Sequence, residues 1–197
     1  MAWMEFSDEQ AVAAARGGDH DAFRALVERH TRSLYRLGYR MMGNEHDAEE
    51  VVQEAMIRAY KRLDKFEERA NFGTWIYRIA VNCALDLRRV RQRDESRRHS
   101  APEPEEENSS PMDLLPTQDA NPERLAMSAE LQREVKVAMT KLTDIERAAF
   151  VMRHFDGCSV EEISAALDLK TSAAKNTVFR AVQKLRASLQ PLVSPGK

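Results

Sequence analysis

Near the C-terminal end of the chain, four side chains that can contact nucleic-acid bases recur at helical spacing: Lys175, Asn176, Phe179 and Arg180. Asparagine and arginine can form paired hydrogen bonds with purines, lysine can reach guanine or phosphate, and an exposed phenylalanine can pack on a thymine methyl group. Residues three and four apart share one face of a helix, so these side chains would form a single surface. This segment alone is equally compatible with a solvated cationic helix that buries Phe179 in a core.

The residues before this surface predict a helix-turn-helix and favour the DNA-binding interpretation. A short helix, SVEEISAALD, precedes the turn LKT and the cationic helix SAAKNTVFRAVQKLR, whose first half would enter the major groove. Two positions depart from the usual pattern: Asp168 stands where glycine is usual, and Ala174 replaces a larger aliphatic residue. The candidate contacts to bases and phosphates are Thr171, Ser172, Lys175, Asn176, Phe179, Arg180 and Lys184.

A second candidate surface lies in the N-terminal half, where a segment mixing aromatic and polar residues precedes a helix with a polar stripe. Such a mixture can hold bases out of the stack, and a polar stripe suits a nucleic-acid backbone. The candidate residues are Arg69, Asn71, Phe72, Trp75 and Tyr77 in and after the segment, and Arg78, Asn82 and Arg89 along the helix. Taken singly, Phe72 and Trp75 are more often core anchors than base platforms.

The elements that must position these side chains are helices. Apolar residues recur at helical spacing from Asp19 to Met41, with Asp19 or Asp21 as the N-cap, and Gly43 and Asn44 end this helix and begin the next. A second apolar stripe continues to Phe66, and Thr74 is predicted to open a third helix.

The C-terminal half begins at Pro122 with a helix that includes Leu125 and Leu131. Two capping boxes, Thr143 to Glu146 and Ser159 to Glu162, predict two further helices, and a last helix runs from about Ser172 to Gln190 and stops at Pro191. Between the halves, SAPEPEEENSSPMDLLPTQDANP has the composition of a linker. We therefore predict an all-α protein with two small helical domains, 18–93 and 122–190, joined by a flexible acidic linker, 94–121.

Composition and motifs narrow the function classes. The chain has 197 residues, of which 43% are apolar, and it has only two cysteines, Cys83 and Cys158. Catalytic signatures such as a Walker loop or HExxH do not occur, so we expect no enzyme, cofactor or metal site, although His154 and Cys158 are two isolated potential ligands. A cationic leader and long apolar runs are also missing, so we expect a cytoplasmic protein without membrane insertion.

Charge is segregated along the chain, although the formal net charge is only −2. Residues 88–98 hold six arginines against two acids, residues 170–186 hold five cations and no acid, and residues 101–123 hold seven acids and no cation. A protein that binds duplex DNA unaided usually presents a strong positive field. We therefore expect weak DNA binding by the isolated protein.

The runs DAEEVVQEAMIRAYKRLDKF and FGTWIYRIAVNCALDLRR, followed by the terminal helix-turn-helix, resemble the sigma-70 family in its extracytoplasmic-function (ECF) group. Residues 18–93 resemble region two, residues 125–189 resemble region four, and TWIYRIAVN is the most specific piece. The resemblance implies a sigma factor that binds core RNA polymerase and directs promoter-specific initiation of transcription, in a stress or envelope-signal response.

The resemblance also implies roles for each surface. Asp47, Glu50, Gln53, Glu54 and Arg58 would dock on the clamp helices of the largest polymerase subunit. The segment from Arg69 to Trp75 and the following helix would recognise the minus-ten element and capture an unstacked base, and the terminal helix would read the minus-thirty-five element. The flap of the second-largest subunit and an anti-sigma factor are the other implied partners. The acidic linker would either mimic nucleic-acid charge inside the polymerase or act as a disordered tether.

Two other function classes remain open at this point. An autonomous helix-turn-helix regulator would bind its operator without polymerase. A pure interaction protein, such as an antagonist or scaffold, would not depend on Lys175 and Arg180.

Overall fold

The computed structural model describes residues 6–67, 71–98 and 133–193, and the regular secondary structure in these ranges is entirely helical. The chain divides into two compact units, Met1–Glu103 and Pro104–Lys197. The helices are α1 (Asp8–Arg16), α2 (His20–Met42), α3 (Glu45–Lys61), α4 (Phe72–Arg98), α5 (133–140), α6 (Asp144–His154), α7 (Val160–Ala166) and α8 (Thr171–Val193), with a 3-10 turn at Leu63–Lys65. The all-α prediction is confirmed, while the linker lies almost entirely outside the described residues.

The helix boundaries of the first unit follow local capping chemistry. The Asp19 side chain accepts hydrogen bonds from the first turn of α2, as the sequence predicts. Gly43 ends that helix with φ 85°, a left-handed conformation that glycine adopts without a steric penalty, and Asn44 caps α3. Helix α1 was not predicted, although Ser7 and Gln10 form a capping box at its start.

The three long helices α2, α3 and α4 supply most of the core of this unit. Leu26, Leu34 and Leu37 of α2, together with Val51 of α3 and Ile76 of α4, are at most 1% exposed. Close packing between α2 and α3 depends on Gly38, because a Cβ atom at this position would lie 3.0 Å from the carbonyl oxygen of Ala48.

Three predicted boundaries in this unit differ from the structure. The α3 stripe does not continue as one α-helix to Phe66, because the helix ends at Lys61 and the chain tightens into the 3-10 turn. Helix α4 begins at Phe72, because the Asn71 side chain accepts a hydrogen bond from the backbone N–H of Thr74 at 2.7 Å and so acts as the N-cap in place of Thr74. The same helix continues to Arg98, five residues beyond the predicted end of the domain at 93.

The second unit packs α5 to α8 around a core of its own. Both predicted capping boxes are present: Thr143 and Glu146 begin α6, and Ser159 and Glu162 begin α7. The core includes Leu142, Ala148, Val151, Met152, Ile163, Ala174 and Ala181. Helix α8 extends through Pro191 to Val193, past its predicted end. The predicted helical start at Pro122, with Leu125 and Leu131, lies outside the described residues. Among the described helices, none combines the length and apolar character needed to cross a bilayer.

Candidate functional site

The turn between α7 and α8 has the geometry that the helix-turn-helix prediction requires. Asp168 adopts a φ of 52°, which is the left-handed conformation for which glycine is usual at this position. The backbone N–H of Leu169 donates to the carbonyl of Ser164 at 2.9 Å, and the Ser164 hydroxyl donates to the carbonyl of Leu169 at 2.6 Å. These bonds close the C-terminus of α7 in a Schellman-type arrangement and fix the direction in which α8 begins. Asp168 therefore replaces glycine without changing the turn.

Helix α8 separates a buried face from an exposed face. Ala174, Thr177 and Ala181 are almost completely buried, so the small Ala174 lies in the core and is not a defect of the motif. The predicted DNA-contacting residues Thr171, Ser172, Lys175, Asn176, Phe179 and Arg180 are all exposed. Phe179 is 62% exposed, which contradicts the alternative in which this ring is buried in a core. An exposed aromatic ring between two cations is the arrangement expected of a surface that contacts bases.

Lys184 differs from the other predicted contacts of α8, because its charge is already paired within the second unit. Its Nζ atom lies 2.7 Å from Oε2 of Glu146, a carboxylate that is only 6% exposed. Burial by itself raises the pKa of Glu146, but the hydrogen bonds from Lys184 and from the Thr143 backbone lower this pKa below its usual value overall. Lys184 consequently connects α8 to the start of α6.

In the first unit, three aromatic rings form a cluster at the start of α4. The ring centroids of Phe66 and Trp75 are 4.9 Å apart, and the Phe72 ring lies 5.9 Å from Phe66 and 5.6 Å from Trp75. Phe72 is only 2% exposed, so in this structure its ring packs inside the unit and is not open to a base. Trp75 is partly exposed, and Asn71 is exposed while its side chain caps α4.

The predicted polar stripe of α4 is present but is connected to neighbouring side chains. Asn82 and Arg89 are exposed, and Tyr77 and Arg78 are partly exposed. The Asn82 side chain donates to the carbonyl of Arg78 at 2.9 Å, and Arg89 pairs with Asp86 at 3.2 Å. Arg69 lies outside the described residues.

The five residues predicted to contact the polymerase do not all lie on the surface of α3. Glu50 and Gln53 are exposed, whereas Asp47 is 8% exposed and pairs with Arg91 of α4 at 2.7 Å. Asp47 therefore connects two helices, because Arg91 and the side-chain amide of Asn44 both bind its carboxylate.

Glu54 and Arg58 border a groove of about 260 Å³ between α3 and α4. Arg58 bonds to Asp86 at 2.9 Å and to Glu54 at 2.6 Å. Both bonds raise the pKa of the guanidinium above its usual value, and the bond to Asp86 contributes most. The groove is lined by Glu50, Val51, Gln53, Glu54, Ile57, Arg58, Cys83, Asp86, Leu87 and Val90. Ile57 and Val90 are large apolar residues with high exposure at this groove, although the apolar periodicity of α4 predicts that Val90 faces inward.

The cysteines and possible metal ligands do not form a reactive centre in the described ranges. Burial raises the pKa of Cys83 and that of Cys158 to about 11 each, so both thiols are protonated near neutral pH. His46, Asp47 and Glu50 place potential ligand atoms within 4.8 Å of one another. Arg91 pairs with both carboxylates of this group, with Asp47 at 2.7 Å and with Glu50 at 3.0 Å.

Comparisons with known proteins match both units. Residues 26–94 match the family model Sigma-70 region 2, and residues 132–185 match Sigma-70, region 4. Over 189 residues the chain is 32% identical to the ECF RNA polymerase sigma factor SigW of Bacillus subtilis, covering 96% of this chain and 100% of that protein. It is 34% identical over 189 residues to the ECF RNA polymerase sigma-E factor of Escherichia coli K12, with 96% and 97% covered.

Solved structures show the same similarity. CnrH, solved in complex with the cytosolic domain of CnrY, matches with a TM-score of 0.62 at 26% identity, over 93% of this chain and 97% of CnrH. The sigma factor RpoE of Bartonella quintana, solved in complex with the anti-sigma factor NepR, matches with a TM-score of 0.61 at 21% identity, over 85% of this chain and 96% of that chain. At that identity, the second match shows a shared fold.

Proposed function

The chain belongs to the ECF group of the sigma-70 family and is an RNA polymerase sigma factor, and on this basis we propose which of its surfaces contact DNA and polymerase. It binds core RNA polymerase and directs promoter-specific initiation of transcription. Sigma factors act by binding, and we assign no catalytic role to any residue. The cytoplasm, where core polymerase acts, is the compartment that this function requires.

Helix α8 is proposed to read the minus-thirty-five element as duplex DNA. The exposed face with Phe179 at 62% exposure is the observation that carries this proposal. Lys175, Asn176, Phe179 and Arg180 would contact base edges, while Thr171 and Ser172 at the first turn would contact phosphate. Lys184 is assigned a smaller share of the binding energy, because binding phosphate would weaken its contact with Glu146.

The aromatic cluster at the start of α4 is proposed to contact the minus-ten element. Trp75 and Asn71 are the exposed or partly exposed side chains that can meet an unstacked base. Phe72 would support Trp75 from within the unit. Tyr77, Arg78, Asn82 and Arg89 would follow the adjacent strand, and Arg69 is included on the family resemblance alone.

The groove between α3 and α4 is proposed as the docking site for the clamp helices of the largest polymerase subunit. Its exposed apolar residues, Ile57 and Val90, and its polar rim at Glu50, Gln53 and Glu54 support this assignment, because interfaces combine an apolar centre with a polar rim. Arg58 would exchange its bonds with the acids around it for polymerase contacts. Asp47 would act indirectly by holding Arg91.

The remaining partners follow from the family and not from a specific site. Contact with the flap of the second-largest subunit and control by an anti-sigma factor are proposed for this chain. CnrH, which resembles it, was solved bound to the cytosolic domain of another protein, and this supports a protein partner. A role in a stress or envelope-signal response is proposed on the same family grounds.

Transcription in vitro with purified core polymerase on a promoter library tests the DNA-binding assignment. We expect Asn176→Ala to relax the preference at one position of the upstream element, at a cost of about 1 to 3 kcal/mol for the lost base contact. Lys175→Ala should weaken binding to all promoters or change one position, depending on whether it reaches phosphate or guanine. Gln190→Ala, an exposed amide near the far end of the same helix, is the matched control and should leave the preference unchanged.

Two results would contradict the proposal. If Asn176→Ala weakens every promoter equally, Asn176 is a phosphate contact and does not read sequence. If the protein yields no new start sites with core polymerase but footprints an operator alone, it acts as an autonomous helix-turn-helix regulator.

A further inference from the structure

Helix α1, which lies before the residues matched by the region 2 family model, contacts the aromatic cluster at Phe66. Arg16, in its last turn, donates from Nε to the carbonyl of Leu63 at 3.0 Å and from Nη2 to the carbonyl of Phe66. Its guanidinium carbon also lies 5.8 Å from the centre of the Phe66 ring. A single planar cation therefore fixes both the backbone and the ring of Phe66, which packs on Trp75.

A second contact from α1 reaches the same cluster through His30 and Phe72. Asp8 accepts from Nε2 of His30 at 2.8 Å and also pairs with Arg29, so the first turn of α1 orients the imidazole. The His30 ring lies 5.4 Å from the Phe72 ring. It also lies so close to Gly73 that a Cβ atom there would be 3.2 Å from Cε1 of the imidazole. His30 therefore packs against both Phe72 and Gly73, the first two residues of α4.

These contacts come from one short helix and reach two of the three rings of the aromatic cluster, Phe66 and Phe72. Ala11 and Val12 of α1 are completely buried in the unit, and the capping box of α1 fixes its first turn. Because Phe66 and Phe72 both touch Trp75, displacement of either ring would move the partly exposed indole.

We infer that α1 is a positioning element for strand separation at the promoter, acting through Arg16 and the Asp8–His30 pair on the aromatic cluster. The ligand of the cluster is an unstacked base of the minus-ten element, so the inference rests on the proposed minus-ten function. Arg16, Asp8 and His30 do not need to touch DNA themselves. Their contribution is to hold Trp75 and Asn71 ready before the base arrives, which lowers the cost of capture.

The test uses holoenzyme reconstituted from the full chain and core polymerase on two templates. One is a fully paired promoter, and the other carries the same sequence with a noncomplementary minus-ten region that is already open. Arg16→Ala removes both hydrogen bonds to backbone carbonyls, and we expect it to slow formation of the open complex on the paired promoter by at least about tenfold, because the loss of a single hydrogen bond with a charged group already has an effect of this size. Its activity on the open template should remain at the level of the unaltered protein.

Matched variants separate positioning from general loss of charge or stability. Arg24→Ala removes an arginine from the exposed surface of α2, where it pairs only loosely with Asp21 at 3.6 Å, and should behave like the unaltered protein on both templates. Arg16→Lys keeps the charge but cannot span both carbonyls, and should give an intermediate rate. Asp8→Asn keeps the size of the side chain and should also be defective only on the paired promoter. Competition for core polymerase is measured for every variant.

The inference is overturned if Arg16→Ala and Asp8→Asn both match Arg24→Ala on the paired promoter. It is also overturned if both variants lose activity equally on the two templates, because that pattern means a general loss of folding or of polymerase binding. Inactivity of the unaltered protein on both templates would instead contradict its activity as a sigma factor at this promoter.

Discussion

Replacing Glu146 with glutamine removes the charge of one buried carboxylate while nearly keeping its shape. The glutamine can still accept the backbone N–H of Thr143, which Glu146 does at 3.0 Å, so the capping box survives. What is lost is the charged contact with Lys184 at 2.7 Å. Glu162 provides a matched control, because it closes the same type of box at the start of α7 and is exposed, without an ion pair in the described ranges.

The expected cost follows from the exposure of the two partners. A hydrogen bond to a charged group contributes about 1.5 to 3 kcal/mol. Because Lys184 is 43% exposed, solvent screening reduces this contribution to about 1 kcal/mol. Both glutamates stand at the third position of a helix, so their favourable interactions with the helix dipoles cancel in the comparison. Glu146→Gln should therefore lower the free energy of unfolding by about 1 kcal/mol more than Glu162→Gln.

The difference should depend on pH in a fixed direction. The folded state lowers the pKa of Glu146 below the ordinary value of 4.5, so its contribution to stability is complete above that pH. As the pH falls through the lowered pKa, Glu146 takes up a proton and the contribution is lost. The unaltered protein and Glu146→Gln should converge in stability in acid, whereas they differ at neutral pH.

Native-state hydrogen exchange on peptides from residues 133–193 measures this stability in the full chain. Tryptophan fluorescence does not serve, because both tryptophans, Trp3 and Trp75, belong to the first unit. A double-mutant cycle with Lys184→Met should give a coupling energy of about 1 kcal/mol. Equal costs for Glu146→Gln and Glu162→Gln, or a coupling energy near zero, would refute the assignment of the Lys184 charge to this pair.

Three further predictions test the packing and the turn. Gly38→Ala should lower the free energy of unfolding of the first unit by about 1 to 3 kcal/mol in urea titrations followed by tryptophan fluorescence, because the new methyl group meets the Ala48 backbone at 3.0 Å. A stability gain typical of glycine-to-alanine changes in helices would contradict this packing. Asp168 has a φ of 52°, so Asp168→Gly should keep or raise the stability of the second unit, whereas Asp168→Val should lower it by about 1 to 2 kcal/mol. Hydrogen exchange measures both effects, and equal stability of the two variants would exclude the left-handed turn. Alkylation of Cys83 at pH 8 should be much slower than that of a free thiol and should rise toward pH 11, because burial raises its pKa to about 11; fast labelling at pH 8 in the folded state would contradict its burial.

Capping chemistry was predictable because its partners are three residues apart. Thr143 with Glu146, and Ser159 with Glu162, form the boxes that the sequence predicted. The start of α4 was misplaced because Asn71 and Thr74 are both good capping residues, and only the folded segment shows which of them caps the helix.

The roles of single aromatic and charged residues could not be predicted in the same way. Phe72 and Phe179 are both apolar residues next to polar ones, yet their exposures are 2% and 62%. Phe72 is buried because His30 of α2 and Phe66 cover it, whereas Phe179 points away from the helices that pack on α8. Asp47 lies on α3 among exposed acids, and Arg91, 44 residues later, determines that it is held between helices.

The sequence by itself determined the two helical units, most of their helices and the candidate side chains for DNA binding, because helical periodicity and capping act over three or four residues. Tertiary structure decided which of those side chains remain available, because charges and rings find partners far along the chain, as Lys184 does with Glu146 across 38 residues. It also decided that α1 belongs with the aromatic cluster, since the bonds of Arg16 span 47 and 50 residues. Local propensity does not predict such contacts, because they form only after the helices pack.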